Sequence, residues 1–306
     1  MSHDAGRFRR EGSRSRAVVE WDPAQAARAP LVPLVDVELS AGIRRILAPN
    51  PSPLTGPGTN TYLIGTDDLV VVDPGPDDED HVDAVAAAGG AHIRWIVVTH
   101  THPDHAPAAS GLKEATGAEL LGFGEGVGFV PDRLIGEGFV LDVGGARLRA
   151  LHTPGHASDH LCFLIEDLGV LLSGDHVMAG STVVIAPPDG DMAAYLESLE
   201  RLLALKPPLG AILPGHGQVL TDPMSYLRDY LHHRYEREQQ ILRALAEEPA
   251  QTIPELVETL YVGLEPALRP AAELSVWAHL RKLRAEHRVL AHGDLELEAT
   301  WVLSGS

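Results

Sequence analysis

Apolar and polar positions along the chain fall into short runs that mark strands, set between stretches of helical period. NTYLIG and DLVVVDPG, from Asn60 to Gly75, form two strand-like runs joined by a turn at Asp67 and Asp68. DEDHVDAVAAAGG predicts a helix ending at Gly89 or Gly90, IRWIVVT a buried strand, and APAASGLKEATG a helix closed by Gly117. A second round follows. GFVLDVGGARLRALHTPG predicts a hairpin turning at Gly144 and Gly145, and HLCFLIEDLGVLLSGD another turning near Asp167 to Gly169. MAAYLESLERLLALK reads as an amphipathic helix stopped by Pro207 and Pro208, and LGAILPGHG as a last strand. Two similar halves of strands with helices interspersed imply an α/β sandwich, two sheets covered by helices.

From about Asp222 the pattern changes. DPMSYLRDYLHHRYEREQQILRALAEE predicts a long helix behind an Asp-Pro start. TIPELVETLY and AAELSVWAHLRKLRAEHRVL predict two more, and VLAHGDLELEATWVL a small hairpin around Gly293 and Asp294. Helices followed by a two-stranded wing describe a winged-helix-like module. The expected organisation is a flexible basic tail over residues 1–30, a sandwich domain over 31–221 and the winged-helix-like domain over 222–306.

Charge and composition narrow the function classes. The 306 residues carry a formal net charge of −19, which opposes an electrostatic grip on nucleic acid. Arg281, Lys282, Arg284 and Arg288 share one predicted helix, but acidic residues from Glu255 to Glu298 surround them. That module is therefore expected to cap the active-site face or to dimerise, ahead of binding nucleic acid. The single cysteine, Cys162, excludes an intramolecular disulfide and is expected as a small buried hydrophobe in a reducing compartment. No apolar run approaches the roughly 18 residues of a membrane span. The opening MSHDAGRFRREGSRSR lacks the apolar core of a secretory signal, and Asp4 and Glu11 weaken an organelle leader. A cytoplasmic protein is expected.

The candidate chemistry starts at VVTHTHPDHA, where a buried strand ends in His100, His102, Asp104 and His105. Residues two apart on an extended chain face the same way, so His100 and His102 reach one point. Pro103 keeps His102 extended, and Asp104 and His105 fall where the chain turns towards the next helix, facing a neighbouring point. His156 in LHTPGH, Asp175 in LLSGDH and His216 in AILPGH each follow an apolar strand on a glycine-containing turn. Such donor types gathered at strand ends point to a metal site assembled by folding.

THTHPDH, TPGH, SGD and PGH in this order resemble the metallo-β-lactamase superfamily over residues 40 to 220. The resemblance implies an αββα sandwich and two metal ions, one held by His100, His102 and His156, the other by Asp104, His105 and His216, with Asp175 bridging. Asp73, in VVVDPGP, matches a position that steadies ligand histidines from behind. Zinc is the expected occupant, with iron and manganese compatible with the same donors. Two ions about 3.5–4 Å apart share a hydroxide, the pKa of water falling from about 15.7 to about 7, and stabilise an oxyanion. In that chemistry the metal-bound hydroxide attacks, and Asp104 holds the water as the catalytic carboxylate. His160 is a candidate for support behind the ligands or for the pocket wall; His176 is expected to point into the core, and His232 and His233 to be solvated.

APNPSPLTGPGTNTYLIG, together with the C-terminal module, is similar to the β-lactamase-like-2 group, in which a characterised activity is cleavage of single-stranded RNA, while related proteins of similar sequence act as thioesterases on carrier-bound polyketides. Asn60 and the Pro- and Gly-rich loop before it would border the substrate. The true antibiotic-degrading branch usually has a secretory signal and a Cys where this chain has Asp175. An ester or thioester, small or carrier-linked, is thus expected ahead of single-stranded RNA, and both ahead of a non-catalytic metal-stabilised binding module. A homo-oligomer is compatible with either.

Overall fold

Residues 19–180, 182–293 and 296–305 are described by a computed structural model in which the strand-forming runs pair into two sheets. The first takes β1 (Val37–Ser40), β2 (Ile43–Leu47), β3 (Asn60–Gly65), β4 (Leu69–Val72), β5 (Ile93–Val97), β6 (Glu119–Gly122) and β7 (Arg133–Leu134) in chain order. It is antiparallel up to β4 and parallel from there on. The second holds β8 (Val140–Val143), β9 (Ala146–His152), β10 (Leu161–Ile165), β11 (Val170–Gly174) and β12 (Ala211–Pro214), antiparallel except for the parallel pair of β11 and β12.

Alternation within each strand explains the layers. Tyr62, Ile64, Val70 and Val72 face the core shared by the two sheets, where Leu148, Phe163 and Leu172 meet them. Their neighbours Leu63 and Val71 face outward onto α2 (Glu79–Gly89) and α3 (Ala108–Thr116), through Val85, Ala109 and Leu112. On the other side Leu171 and Ile212 pack against α4 (Met192–Leu203) and the start of α5 (Pro223–Glu247). Burial on both faces is why these strands read as continuous apolar runs rather than alternating ones. The result is the αββα sandwich.

The expected start at Asp222 and stop at Gly117 hold, whereas α4 ends at Leu203, short of Pro207, and the helix predicted over 271–290 ends at Ala285. Asp78, Asp191 and Asp222 cap α2, α4 and α5, and Gly117 closes α3 in the left-handed conformation at φ 75°. The hairpin of β8 and β9 turns on Gly144 and Gly145, both at positive φ, as glycine permits.

The expected flexible tail needs correction over residues 19–30. Asp22 caps the short helix α1 (Pro23–Ala26), and Val19, Ala26 and Ala29 are buried in the core between the sheets. A four-residue helix and three separate apolar side chains make no period that a sequence pattern can register. The remainder of that tail, residues 1–18, lies outside the described residues.

At the C-terminal end, α5, α6 (Ile253–Leu260) and α7 (Arg269–Ala285) enclose a separate core with the wing strands β13 (Val289–His292) and β14 (Thr300–Leu303). Asp294, at the predicted wing turn, lies outside the described residues. Helix α5 serves two cores: Leu227 and Tyr230 pack with α4, while Ile241, Ala244 and Leu245 belong to the C-terminal one. Packing therefore changes hands inside α5 rather than at Asp222. No helix among the described residues is long and apolar enough to cross a membrane.

Candidate metal centre

The C-terminal ends of β4, β5, β9, β11 and β12 meet at one edge of the sandwich, where the loops beyond them carry the seven candidate donors. Two groups form. His100, His102 and His156 make one, and Asp104, His105, Asp175 and His216 the other, with the donor atoms of each group within 4.8 Å of one another. His100 Nε2 and His156 Nε2 lie 2.9 and 3.0 Å from His102 Nδ1. Asp175 joins the groups, with Oδ2 3.6 Å from His156 Nε2 and Oδ1 3.3 Å from both His105 Nε2 and His216 Nε2. Asp104 Oδ2 stands 3.2 Å from His216 Nε2.

Behind each ring an acceptor selects which nitrogen faces inward. His105 Nδ1 donates to Asp73 at 2.9 Å, His156 Nδ1 to the Val184 carbonyl at 2.7 Å and His216 Nδ1 to the Gly58 carbonyl at 3.1 Å. Since these acceptors cannot donate, each ring presents an Nε2 lone pair to the centre. The Thr99 hydroxyl donates to Asp73 at 2.9 Å and so accepts from His100 Nδ1 at 3.0 Å. Asp73 therefore braces a histidine of each group, directly through His105 and by way of Thr99 for His100.

The electrostatics divide along the same line. Burial holds His100 well below, and His156 at about 4, against the usual imidazole range. Burial works against protonation of His105 and His216 too, but Asp104 and Asp175 carry His105 well up and His216 to about 9. Burial would raise Asp104; His105 and His216 overcome it and hold the carboxyl at about 2. Without a cation, protons must neutralise the carboxylates of this group. The donor set suits divalent ions: His105 Nε2 and Asp175 Oδ1 are buried and face each other at 3.3 Å without a hydrogen bond, and His100 Nε2 and His156 Nε2 both point at His102 Nδ1, which can donate to only one of them.

Other expected residues fall in different places. Asn60 is fully buried and is not among the residues that line the cavity; its amide donates to the carbonyls of Pro214 and Gly217, at 2.9 and 3.0 Å, and so fixes the loop that carries His216. His160 packs its ring 5.0 Å from that of His100 and shares a hydrogen bond with Thr153 at 3.0 Å, touching none of the donors through a hydrogen bond. His176 is buried in the core with neither ring nitrogen hydrogen-bonded, and Cys162 is buried, its thiol pushed up to about 12. His232 is exposed beside Glu236, but His233 is half-buried at a cavity and not solvated as expected. Sequence reading missed Thr99 and the carbonyls of Gly58 and Val184. A threonine inside the donor motif was a legible signal, whereas a backbone carbonyl has none.

Comparison with known proteins agrees with the geometry. The family model of the metallo-beta-lactamase superfamily matches residues 54–216. The chain belongs to that superfamily. A second model, the beta-lactamase associated winged helix domain, matches residues 252–301. The beta-lactamase-like protein 2 homolog of Drosophila melanogaster is 33% identical over 282 residues, covering 85% of this chain and 93% of its own length. An atrochrysone carboxyl ACP thioesterase of Aspergillus chevalieri is 32% identical over 290 residues, covering 88% and 89%. For fold alone, a beta-lactamase domain protein from Burkholderia ambifaria superposes with a TM-score of 0.78 at 22% identity, over 93% of this chain and 97% of its own. The chain is thus a hydrolase of the metallo-beta-lactamase fold, with a winged-helix module after the sandwich.

In this member of the superfamily the donors open onto a cavity of about 770 Å³. His102, Asp104, His156, Asp175 and His216 form its floor. Leu54 comes from the Pro- and Gly-rich loop, and Leu264, Leu268 and Leu274 from the C-terminal module, so both parts of the chain build the walls.

Proposed function

We propose that the protein is a dinuclear metal-dependent hydrolase of esters or thioesters, with a carrier-linked acyl group as the preferred class. The observation that carries this reading is the joining of two donor groups through Asp175 at the floor of a cavity walled mainly by apolar side chains. His100, His102 and His156 would hold one ion, Asp104, His105 and His216 the other, and Asp175 both; zinc suits this imidazole and carboxylate set. When bound, the pair supplies Lewis acidity and lowers the pKa of water.

The chain's own residues do the rest. Asp104, on the cavity floor and ionised, can only accept hydrogen bonds, so it aligns the attacking water. The side chains behind the donors hold them in place before substrate arrives. The apolar walls exclude bulk water and receive the acyl part. Two relatives named as atrochrysone carboxyl ACP thioesterases support the thioester class. We read the domains as the sandwich with the first half of α5, followed by the winged-helix module, and the compartment as a reducing one such as the cytoplasm.

A nucleic-acid substrate is disfavoured by the pairing of the cations on α7 and of Arg288 just beyond its end. Arg281 and Arg284 meet Glu296 at 3.4 and 2.6 Å, and Lys282 and Arg288 meet Glu238 at 2.6 and 2.8 Å. Few charges remain there to neutralise phosphates. The test sets a model acyl thioester beside a short single-stranded RNA, each with and without chelator and with Asp104→Ala. Thioester turnover is expected, abolished by chelator and reduced by about 10²–10⁴ in the variant. RNA cleavage that both controls remove, without thioester turnover, would overturn the reading.

A further inference from the structure

Helix α5 brings a buried cation to the cavity without an acidic partner. Arg234 is 2% exposed and lines the cavity. Its Nη2 donates to the Val183 carbonyl, its guanidinium lies 5.3 Å from the centre of the Tyr195 ring, and its Nε has no hydrogen-bond partner. Among the described residues no carboxylate forms an ion pair with it; Glu238, one turn further along α5, is occupied by Lys282 and Arg288. His233 lines the same cavity with an unpartnered Nδ1. Arg237, one turn on, stacks 4.0 Å from the centre of the Tyr261 ring, and its Nε is unpartnered too.

A buried guanidinium costs several kcal/mol of lost hydration unless an anion or a full set of acceptors replaces the water. Arg45 is the other deeply buried guanidinium among the described residues. It is 1% exposed and donates from Nη2 to the carbonyls of Ala29 and Pro30 with its Nη1 unpartnered, but it stands away from the cavity. Arg234 has one carbonyl and an open cavity instead. The surrounding wall is apolar, with Met178, Leu264, Leu268 and Leu274.

We propose that Arg234 recognises an anionic group on the substrate, so that the preferred substrate is an apolar acyl ester or thioester bearing a carboxylate or phosphate away from the scissile carbonyl. This rests on the hydrolase reading above. The planar fork of arginine suits either oxyanion, with the apolar wall holding the carbon skeleton between that anchor and the donor floor. A carboxylate would sit on the acyl part; a phosphate would sit on the carrier arm.

Two matched pairs separate these sources: a hexanoyl thioester of N-acetylcysteamine against its ω-carboxylated analogue, and hexanoyl pantetheine against its phosphorylated form. In the metal-loaded full chain, kcat/KM is expected to favour the charged member of one pair by roughly 10- to 100-fold. Arg234→Met should erase that ratio, mainly through KM, and Arg234→Lys should keep part of it, which also covers a Met variant that fails to fold. Equal kcat/KM within both pairs, or a preference that survives Arg234→Met, would overturn the proposal. If no thioester is turned over, the hydrolase reading fails, and the anion site is then read by binding alone. In chelator, hexanoate or phosphopantetheine should raise the melting temperature of the wild type where the neutral hexanamide and pantetheine do not, and Arg234→Met should lose the effect. The absence of that shift in the wild type would sink the anion site on its own.

Discussion

Asp73 shows how much one side chain can hold. It sits at φ 53°, a left-handed conformation that aspartate tolerates better than most residues, and accepts from the Thr99 amide at 2.7 Å, the Thr99 hydroxyl and His105. Asp73→Asn keeps the shape but replaces one acceptor oxygen with a donor. Metal affinity is expected to fall about 10- to 100-fold with the fold retained, which a zinc competition titration and circular dichroism will read. Gly215 is a second such position. A methyl group there would lie 2.7 Å from His105 Cε1 and 2.8 Å from Asp175 Oδ1, so Gly215→Ala must spread the second donor group. Bound metal should drop from two equivalents towards one by elemental analysis, with the three-histidine group spared. The seven donors were legible because their spacing at strand ends is itself the chemistry. The bracing at Thr99, Gly58 and Val184 was not, since it depends on which backbone groups the fold brings behind each ring.

Among the elements, α7 is where charge and structure part company. The sequence puts Arg281, Lys282, Arg284 and Arg288 on one helix; in the fold the first three lie on α7 and Arg288 beyond its end, and all answer carboxylates on α5, just after α7 and between the wing strands. Glu238 is the buried member of this network, its side chain 4% exposed. Lys282→Ala would remove one of its two charged partners and is expected to cost roughly 2 kcal/mol in urea denaturation. Thioester turnover should be unchanged. Loss of affinity for RNA in that variant, were RNA bound, would instead mark Lys282 as a phosphate contact. The strands of the sandwich were legible because they are apolar on both faces. The tail helix α1 and the role of α5 in two cores were not, since each is decided by what the element packs against.

For the molecule as a whole, buried neutral histidines set the response to acid. Burial lowers His81, which shares a 2.8 Å hydrogen bond with Thr61, to about 4, and holds His279 well below the usual range with neither ring nitrogen bonded. Above pH 6.5 both rings are neutral folded or unfolded, so they make no difference to stability. As the pH falls below 6.5, the unfolded chain takes up protons that the folded rings resist, and stability falls until folded His81 itself protonates near pH 4. For His81 alone the loss across that window is roughly 3 kcal/mol. Denaturation midpoints measured across the window should decline, and His81→Gln should flatten part of the slope. An unchanged slope in that variant would assign the acid response elsewhere.

The sequence by itself determined the two-sheet sandwich, the winged-helix-like end and the seven candidate donors, because apolar period and donor spacing are local properties that the chain carries before it folds. Tertiary structure decided what those donors rest on and what they face. Asn60 moved from expected substrate contact to a clamp on the His216 loop, because β3 runs beside that loop. His233 moved from a solvated helix face to a cavity wall, with Arg234 beside it, because the C-terminal module lines the same cavity. Their surroundings come from segments far away in the chain, and no period or spacing records which of these will meet.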